Sequence, residues 1–259
     1  MALATYKEFT VHAYSDGTLT ETTLPFSTEY AVLLKINGLE YITMASSGNY
    51  LAQHITGYLL TEGIITRTGE IQSMDIDEES LTVNVGLVPE SRVTERLEMV
   101  KSLTAAGGRT KRILPDGGLV RSRLPVVRAE VVVGVMNEFL GFSQEHKTTH
   151  GVHGAALYSV SGERIVFFDD IGRHNAMDKV IGHAALNDMS LEDKMICSTG
   201  RISSEIAFKI ITAGAPILIS RASPTTLGVE LLRRYNILSI IRAVGGRFYV
   251  INGKDNILY

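Results

Sequence analysis

The stretch FFDDIGRHNAMDKVIG, Phe167–Gly182, gathers seven polar or charged side chains at the end of an apolar run. Asp169 and Asp170 are adjacent carboxylates. They can hold Mg²⁺, fix arginines, or accept hydrogen bonds from a base or pterin ring. Arg173 suits bidentate recognition of a phosphate. His174 is either a helix-start residue or a proton donor to an anion. Asn175, Asp178 and Lys179 follow, Asn175 and Asp178 at the spacing of a capping box. Two more stretches repeat the pattern. ICSTGRISSE carries Ser198, Gly200, Arg201, Ser203 and Glu205, and ILISRASPTT carries Ser220, Arg221, Ser223 and Thr225. Each places an arginine at or just before a helical pattern. Helix N-termini present free N–H groups and partial positive charge, which favours anions. The combination points to a phosphorylated, nucleotide-like ligand. The plainer reading is helix caps and local ion pairs, with Glu205 and Lys209 as an i,i+4 pair.

These residues need a scaffold that brings three junctions to one edge. The C-terminal part alternates between helices and short apolar runs. Helices are expected at Val126–Phe142, Asn175–Leu186, Ser203–Ala213 and Pro224–Tyr235, and strands at GAALYSV, RIVFF, KMICS, PILIS, ILSIIRA and RFYVIN. Ser203 is the expected cap of one helix, and Ser223 before Pro224 that of another. Such runs suggest strands buried on both faces, hence a parallel sheet in an α/β three-layer domain. Ligands bind such folds at the carboxyl ends of the strands. His153, in THGVHGAAL with His150, precedes small residues that permit close approach of a ligand or backbone.

The N-terminal part reads as an α+β subdomain. It has strands at YKEFTVHAYSDG, YAVLLKING and LEYITMASS, with a hairpin turned at Asn37–Gly38. A helix with apolar Leu51, Ile55, Tyr58 and Leu59 stops at Gly63, and strands IQSMDID and SLTVNVGL follow. The organisation is therefore 1–100 as the N-terminal subdomain, 101–125 as a basic connector loop, and 126–259 as the α/β domain. The connector is either a solvated linker or an anion-contacting loop.

Composition narrows the function. The chain has 259 residues, is 45% hydrophobic, and carries a formal charge of -3. That balance suits neither nucleic acid nor an anionic membrane. No apolar run is long enough to span a bilayer and no signal-peptide pattern begins the sequence, so a cytoplasmic location is expected. The one cysteine, Cys197, excludes an intrachain disulfide, a CxxC pair or a multi-cysteine zinc site.

The motifs MASSGNYLAQHITGYLLTEGII, THGVHGAAL, DDIGRHNAMDKVIG, STGRISSEIAFKIITAGAPILIS and RASPTTLGVELL span most of the chain in order. Together they resemble the formate dehydrogenase accessory protein family, FdhD/NarQ. The resemblance implies a cytidine deaminase-like α/β/α domain with an added N-terminal subdomain. It implies a sulfurtransferase that takes sulfur as a persulfide from a cysteine desulfurase and binds bis-molybdopterin guanine dinucleotide. It further implies delivery to formate dehydrogenase apoenzyme, and a homodimer. A guanine nucleotide would serve as a fragment ligand. On this basis the cofactor-binding residues are those of the three junctions, with His153, Lys209 and the RAVGGR turn, in which Arg242, Gly245, Gly246 and Arg247 stand.

Two departures bear on mechanism. The family's mobile loop carries CxxC, whereas the corresponding SLTAAGGRT has no cysteine, and RAVGGR keeps only part of the family's aromatic–arginine pattern. Cys197 is then either a structural residue or an unexpected sulfur carrier, its thiolate favoured by a nearby helix start and Arg201. A zinc deaminase is excluded because His153 is followed by Gly154 and Ala155 rather than x-Glu, and no cysteine pair exists. Three readings stay open: a sulfurtransferase, a non-catalytic cofactor or guanine-nucleotide chaperone, and a Mg²⁺-dependent nucleotide hydrolase using Asp169, Asp170 and His174.

Overall fold

A computed structural model describes residues 3–89 and 120–259, with Glu95 alone between them. Most of the expected connector, 101–119, lies outside the described residues. Strands β1 (Tyr6–Ser15) and β2 (Thr18–Ser27) form a separate two-stranded ribbon. Strands β3 (Tyr30–Ile36), β4 (Leu39–Ser46), β5 (Ile71–Asp77) and β6 (Thr82–Leu87) make a sheet of order β4-β3-β6-β5. Asn37 and Gly38 both have positive φ, 51° and 80°, which a two-residue primed turn requires. Helix α1 (Leu51–Thr61) covers this sheet, burying Ile55 and Leu59 against Val32, Leu34, Val83 and Val85.

The C-terminal part begins with β7 (Val127–Arg128), α2 (Ala129–Phe142) and α3 (Gln144–Thr149). It continues through β8 (His153–Ser159), β9 (Arg164–Asp170), α4 (Arg173–Leu186), β10 (Lys194–Ser198), α5 (Ser204–Ala213) and β11 (Ile217–Ser220). It closes with α6 (Thr226–Arg234), β12 (Leu238–Val244), β13 (Arg247–Asn252) and β14 (Ile257–Leu258). Six strands form one sheet, β13-β12-β11-β10-β8-β9. Alternation within each strand divides its core. Tyr158, Met195, Cys197 and Ile219 pack against Val132, Val135, Met136 and Phe139 of α2. Leu157, Ile196 and Leu218 face the other way, against Met177 of α4, Ile206 and Ile210 of α5, and Leu232 of α6. The result is three layers, helix–sheet–helices. Among the described residues no helix is long and apolar enough to cross a membrane.

The sheet is mixed, not parallel as expected. β10, β11 and β12 run parallel, but β8 is antiparallel to both β9 and β10, and β13 is antiparallel to β12. The cause is connection length: residues 160–163 and Gly245–Gly246 are too short for the crossover that parallel neighbours need. The edge nevertheless survives. Two antiparallel steps, β9 to β8 and β8 to β10, leave β9 pointing the same way as β10, β11 and β12. Their carboxyl ends share one edge, joined there by the start of β8.

The N-terminal subdomain docks through α1 lying on α4. A Cβ on Gly57 would collide with the Asp178 carbonyl oxygen, and one on Gly182 with the carbonyl of Gln53. Glycine at these two positions lets the backbones of α1 and α4 touch, and it brings buried polar residues of both into one interface.

Candidate functional site

The three junctions are hydrogen-bonded to one another along the edge. Thr199 N–H donates to Gly154 O at 3.0 Å, and Arg221 N–H to Ser198 O at 3.1 Å. Ser220 Oγ donates to Gly200 O at 2.9 Å, and Arg242 N–H donates to Ala222 O at 3.3 Å. Ser198 Oγ accepts from Gly200 N–H, and Ser220 Oγ from Ala222 N–H. Ser198 and Ser220 are buried and spend their hydroxyls on these loops. Their short side chains turn the backbone, so the arginines beside them carry the outward chemistry.

Those arginines differ in setting. Arg201 and Arg221 are exposed and make no ion pair among the described residues. Arg173 is half-buried, and its Nε is buried with no hydrogen-bond partner among the described residues. Its side chain lies over Gly200, from which a Cβ would stand 2.8 Å from Arg173 Cβ. Arg242 takes φ 48°, a left-handed conformation unfavourable for a side chain, while its Nε donates to Ser223 Oγ at 2.7 Å and its guanidinium stands 6.0 Å from the Tyr249 ring centre. Gly245 and Gly246, φ 61° and 75°, turn the chain so that exposed Arg247 follows on the same edge.

Histidines flank this row. His153 starts β8, with Nδ1 3.2 Å from Thr199 Oγ1. Burial, then Arg173 and His146, pushes its pKa down, so it stays neutral. His174 Nε2 is 3.1 Å from Glu205 Oε2, which joins the first junction to the second. Glu205 therefore faces His174 rather than pairing with Lys209.

Two caps differ from expectation. Ser203 caps α5 as expected, accepting from Ile206 N–H, so the two that differ are those of α6 and α4. Helix α6 is capped by Thr225, accepting from Gly228 N–H at 3.2 Å, whereas Ser223 serves Arg242. Helix α4 begins at Arg173 after Gly172 with no side-chain cap, and Asn175 does not form the expected capping box. Its Nδ2 instead donates to Ala45 O at 2.7 Å and Asp170 Oδ1 at 2.9 Å.

The larger correction concerns the charges. Asp169 and Asp170 leave opposite faces of β9, as successive strand residues must. Asp169 Oδ2 accepts from Ser143 Oγ at 2.7 Å beside α3. Asp170 is fully buried toward the N-terminal subdomain and pairs with Lys179 at 2.6 Å. The two carboxylates do not form one chelate, which removes the core of the hydrolase reading. Among the described residues no group of three or more histidine, cysteine, aspartate or glutamate side chains is placed to hold a metal. Asp178 and Lys209 form a second buried pair at 2.8 Å, with Thr61 Oγ1 bonded to both. Burial pushes the Asp178 carboxyl up, against the pull of Lys209. Asp170, Asp178, Lys179 and Lys209 thus close the interface between subdomains and do not line the open edge.

Cys197 is fully buried and belongs to the α2 side of the core. Burial pushes its thiol up, opposite to what a nucleophile or persulfide carrier needs. Thr199 and Tyr249 are contributors that sequence reasoning missed. Thr199 was signalled only by its place between Ser198 and Gly200, and Tyr249 by nothing local.

Over 98% of the chain the fold superimposes, with TM-score 0.79 and 22% identity, on the whole of a chain from Desulfotalea psychrophila assigned provisionally as a formate dehydrogenase accessory protein. The sequence is similar to a Bacillus subtilis protein named sulfur carrier protein FdhD, 30% identical over 251 residues covering 95% of each chain. It is similar also to one of that name from Listeria innocua, 32% identical over 254 residues covering 95% of this chain and 97% of the other. Residues 27–258 match the FdhD/NarQ family, and the chain belongs to that family.

Proposed function

We propose that the chain is an accessory protein for formate dehydrogenase maturation that holds a phosphorylated, guanine-nucleotide-bearing ligand at its three strand–helix junctions. The ligand this reading favours is bis-molybdopterin guanine dinucleotide. One observation carries it: the buried Nε of Arg173 has no acceptor among the described residues, on a side chain that opens α4 against Gly200 at the sheet edge where exposed Arg201 and Arg221 also stand. A buried guanidinium donor left open is costly unless an acceptor arrives, and phosphate oxygens suit both the guanidinium and helix N-termini.

When bound, the cofactor would supply the molybdenum–sulfur chemistry; the residues of this chain bind and orient it. Arg173 takes a phosphate oxygen, Arg201 and Arg221 approach from the next two junctions, and neutral His153 offers or accepts one hydrogen bond. The strained Arg242 and the turn to Arg247 close the end of the row. The layer order of the C-terminal domain is read as cytidine deaminase-like, used here without that fold's zinc site. The working setting is cytoplasmic, as a homodimer that serves formate dehydrogenase apoenzyme.

The names of the relatives favour a second reading, in which sulfur from a cysteine desulfurase rides on this chain. That route needs the core around Cys197 to open, because the sequence holds no other cysteine. We therefore favour cofactor holding over persulfide carriage.

Hydrogen–deuterium exchange of the full chain with and without guanosine diphosphate tests the site. Protection is expected at 171–175, 199–203 and 221–225. Protection elsewhere, with these segments unchanged, contradicts the proposal.

A further inference from the structure

The two buried ion pairs of the subdomain interface look alike but are wired differently. Asp178 with Lys209 bonds inward, to Thr61 of α1. Asp170 bonds toward the ligand edge. Its Oδ2 accepts from Ser46 Oγ at 2.7 Å, Ser47 N–H at 3.1 Å and Lys179 Nζ at 2.6 Å. Its Oδ1 accepts from Gly172 N–H at 2.9 Å and Asn175 Nδ2 at 2.9 Å. Five donors thus meet on one carboxylate with no exposed surface. Two come from the last residue of β4 and the loop it opens, 46–49, and two flank Arg173 and His174 in sequence.

The same loop reaches the junction by other bonds. Ile171 N–H donates to Ser47 Oγ at 3.2 Å, and Lys179 Nζ donates to Asn49 Oδ1 at 2.5 Å. Helix α4 starts without a side-chain cap; Ser47 and Asp170 instead hold the two residues before it, Ile171 and Gly172, and Asp170 also holds the side chain of Asn175. Gly172 and Asn175 are held on either side of Arg173, which fixes the backbone from which that side chain leaves.

We propose that Asp170 is a positioning residue for the ligand site: its carboxylate fastens the 46–49 loop to the β9–α4 junction and so aims Arg173 at the ligand. Ligand affinity then depends on a residue that never touches the ligand, and the N-terminal subdomain is part of the site's construction. The proposal rests on the ligand reading above and adds the charge of Asp170 to it. A carboxylate with five donors loses most from neutralisation, because an amide at the same place turns one acceptor into a donor facing other donors.

The test uses full-length wild type, Asp170→Asn, Arg173→Ala, the double variant, and Thr61→Val as a control that weakens only the other pair. Guanosine diphosphate is titrated calorimetrically and thermal midpoints are recorded. Asp170→Asn is expected to bind at least about tenfold more weakly, and the double variant no more weakly than Arg173→Ala alone. Thr61→Val is expected to lose stability but keep wild-type affinity, which separates positioning from general loosening. Wild type that binds, with Asp170→Asn within twofold of it, overturns the proposal and leaves the site reading standing. Wild type that does not bind overturns the site reading and the proposal with it. Should Asp170→Asn not fold, Ser46→Ala removes one donor alone; a several-fold loss of affinity supports the proposal and unchanged affinity overturns it.

Discussion

Gly200 lies beneath Arg173. A Cβ built on Gly200 would stand 2.8 Å from Arg173 Cβ and 2.9 Å from its Cδ, closer than side-chain carbons approach. The turn after β10 therefore shapes the arginine that opens α4, and two junctions distant in sequence act as one surface. Gly200→Ala should push Arg173 aside and lower guanosine diphosphate affinity about as far as Arg173→Ala does. Gly200→Ala with wild-type affinity would show that Arg173 is not held by this contact.

Cys197 should be inert in the folded protein. Its buried thiol, pushed up by burial, should not react with an aromatic disulfide reagent on the time scale of minutes, and should react fully in denaturant. Incubation with an active cysteine desulfurase and cysteine should add no sulfur mass to the native chain. Rapid native labelling, or a mass gain lost in Cys197→Ala, would restore persulfide carriage.

Lys209 is expected to matter for stability out of proportion to its size. Lys209→Met leaves Asp178 buried without its cation and should cost about 3–5 kcal/mol in denaturant unfolding. Replacing both partners with apolar residues should recover much of that loss. A cost under about 1 kcal/mol for the single variant would mean that the pair is open to water.

His54 supplies the pH dependence. It is fully buried on α1, and its pKa is pushed down from 6.5 to about 4 by burial first. Asp170 pulls it up, Lys179 and Lys209 push it down, and Asn175 pulls it up. A histidine with a folded pKa below its unfolded value contributes stability that is present above pH 6.5 and lost as pH falls toward 4. His153 and His183 act in the same sense. The stability difference between wild type and His54→Gln should shrink by roughly 2–3 kcal/mol from pH 7.5 to 4.5, at about 1.36 kcal/mol per unit. Parallel pH profiles for the two proteins would contradict this.

The edge of the sheet is legible in the sequence because each of its three strands is a short apolar run that breaks at a small polar residue and an arginine. Strand direction is less so. GAALYSV and RIVFF read alike in a parallel or antiparallel sheet, and only the short link at 160–163 shows that they must form a hairpin. Strand β2, TLTETTLPFS, is hidden by its polar threonines although threonine favours strands. The two-residue period of a strand is enough to part Asp169 from Asp170. Nothing local shows that Asp178, Lys179 and Lys209 turn inward, because Thr61 and Asn49, which complete their pairs, lie on α1 and the 46–49 loop, more than a hundred residues away. Gly57 and Gly182 make that meeting possible, and each looks in isolation like an ordinary weak point in a helix.

The most direct measurement is the equilibrium affinity of guanosine diphosphate for wild type and for Arg173→Ala, with thermal midpoints to show that both are folded. The account predicts binding to wild type that falls at least about tenfold in Arg173→Ala at an unchanged midpoint. Equal affinity in the two proteins, or no binding to the wild type, would contradict a phosphate site at the strand–helix junctions.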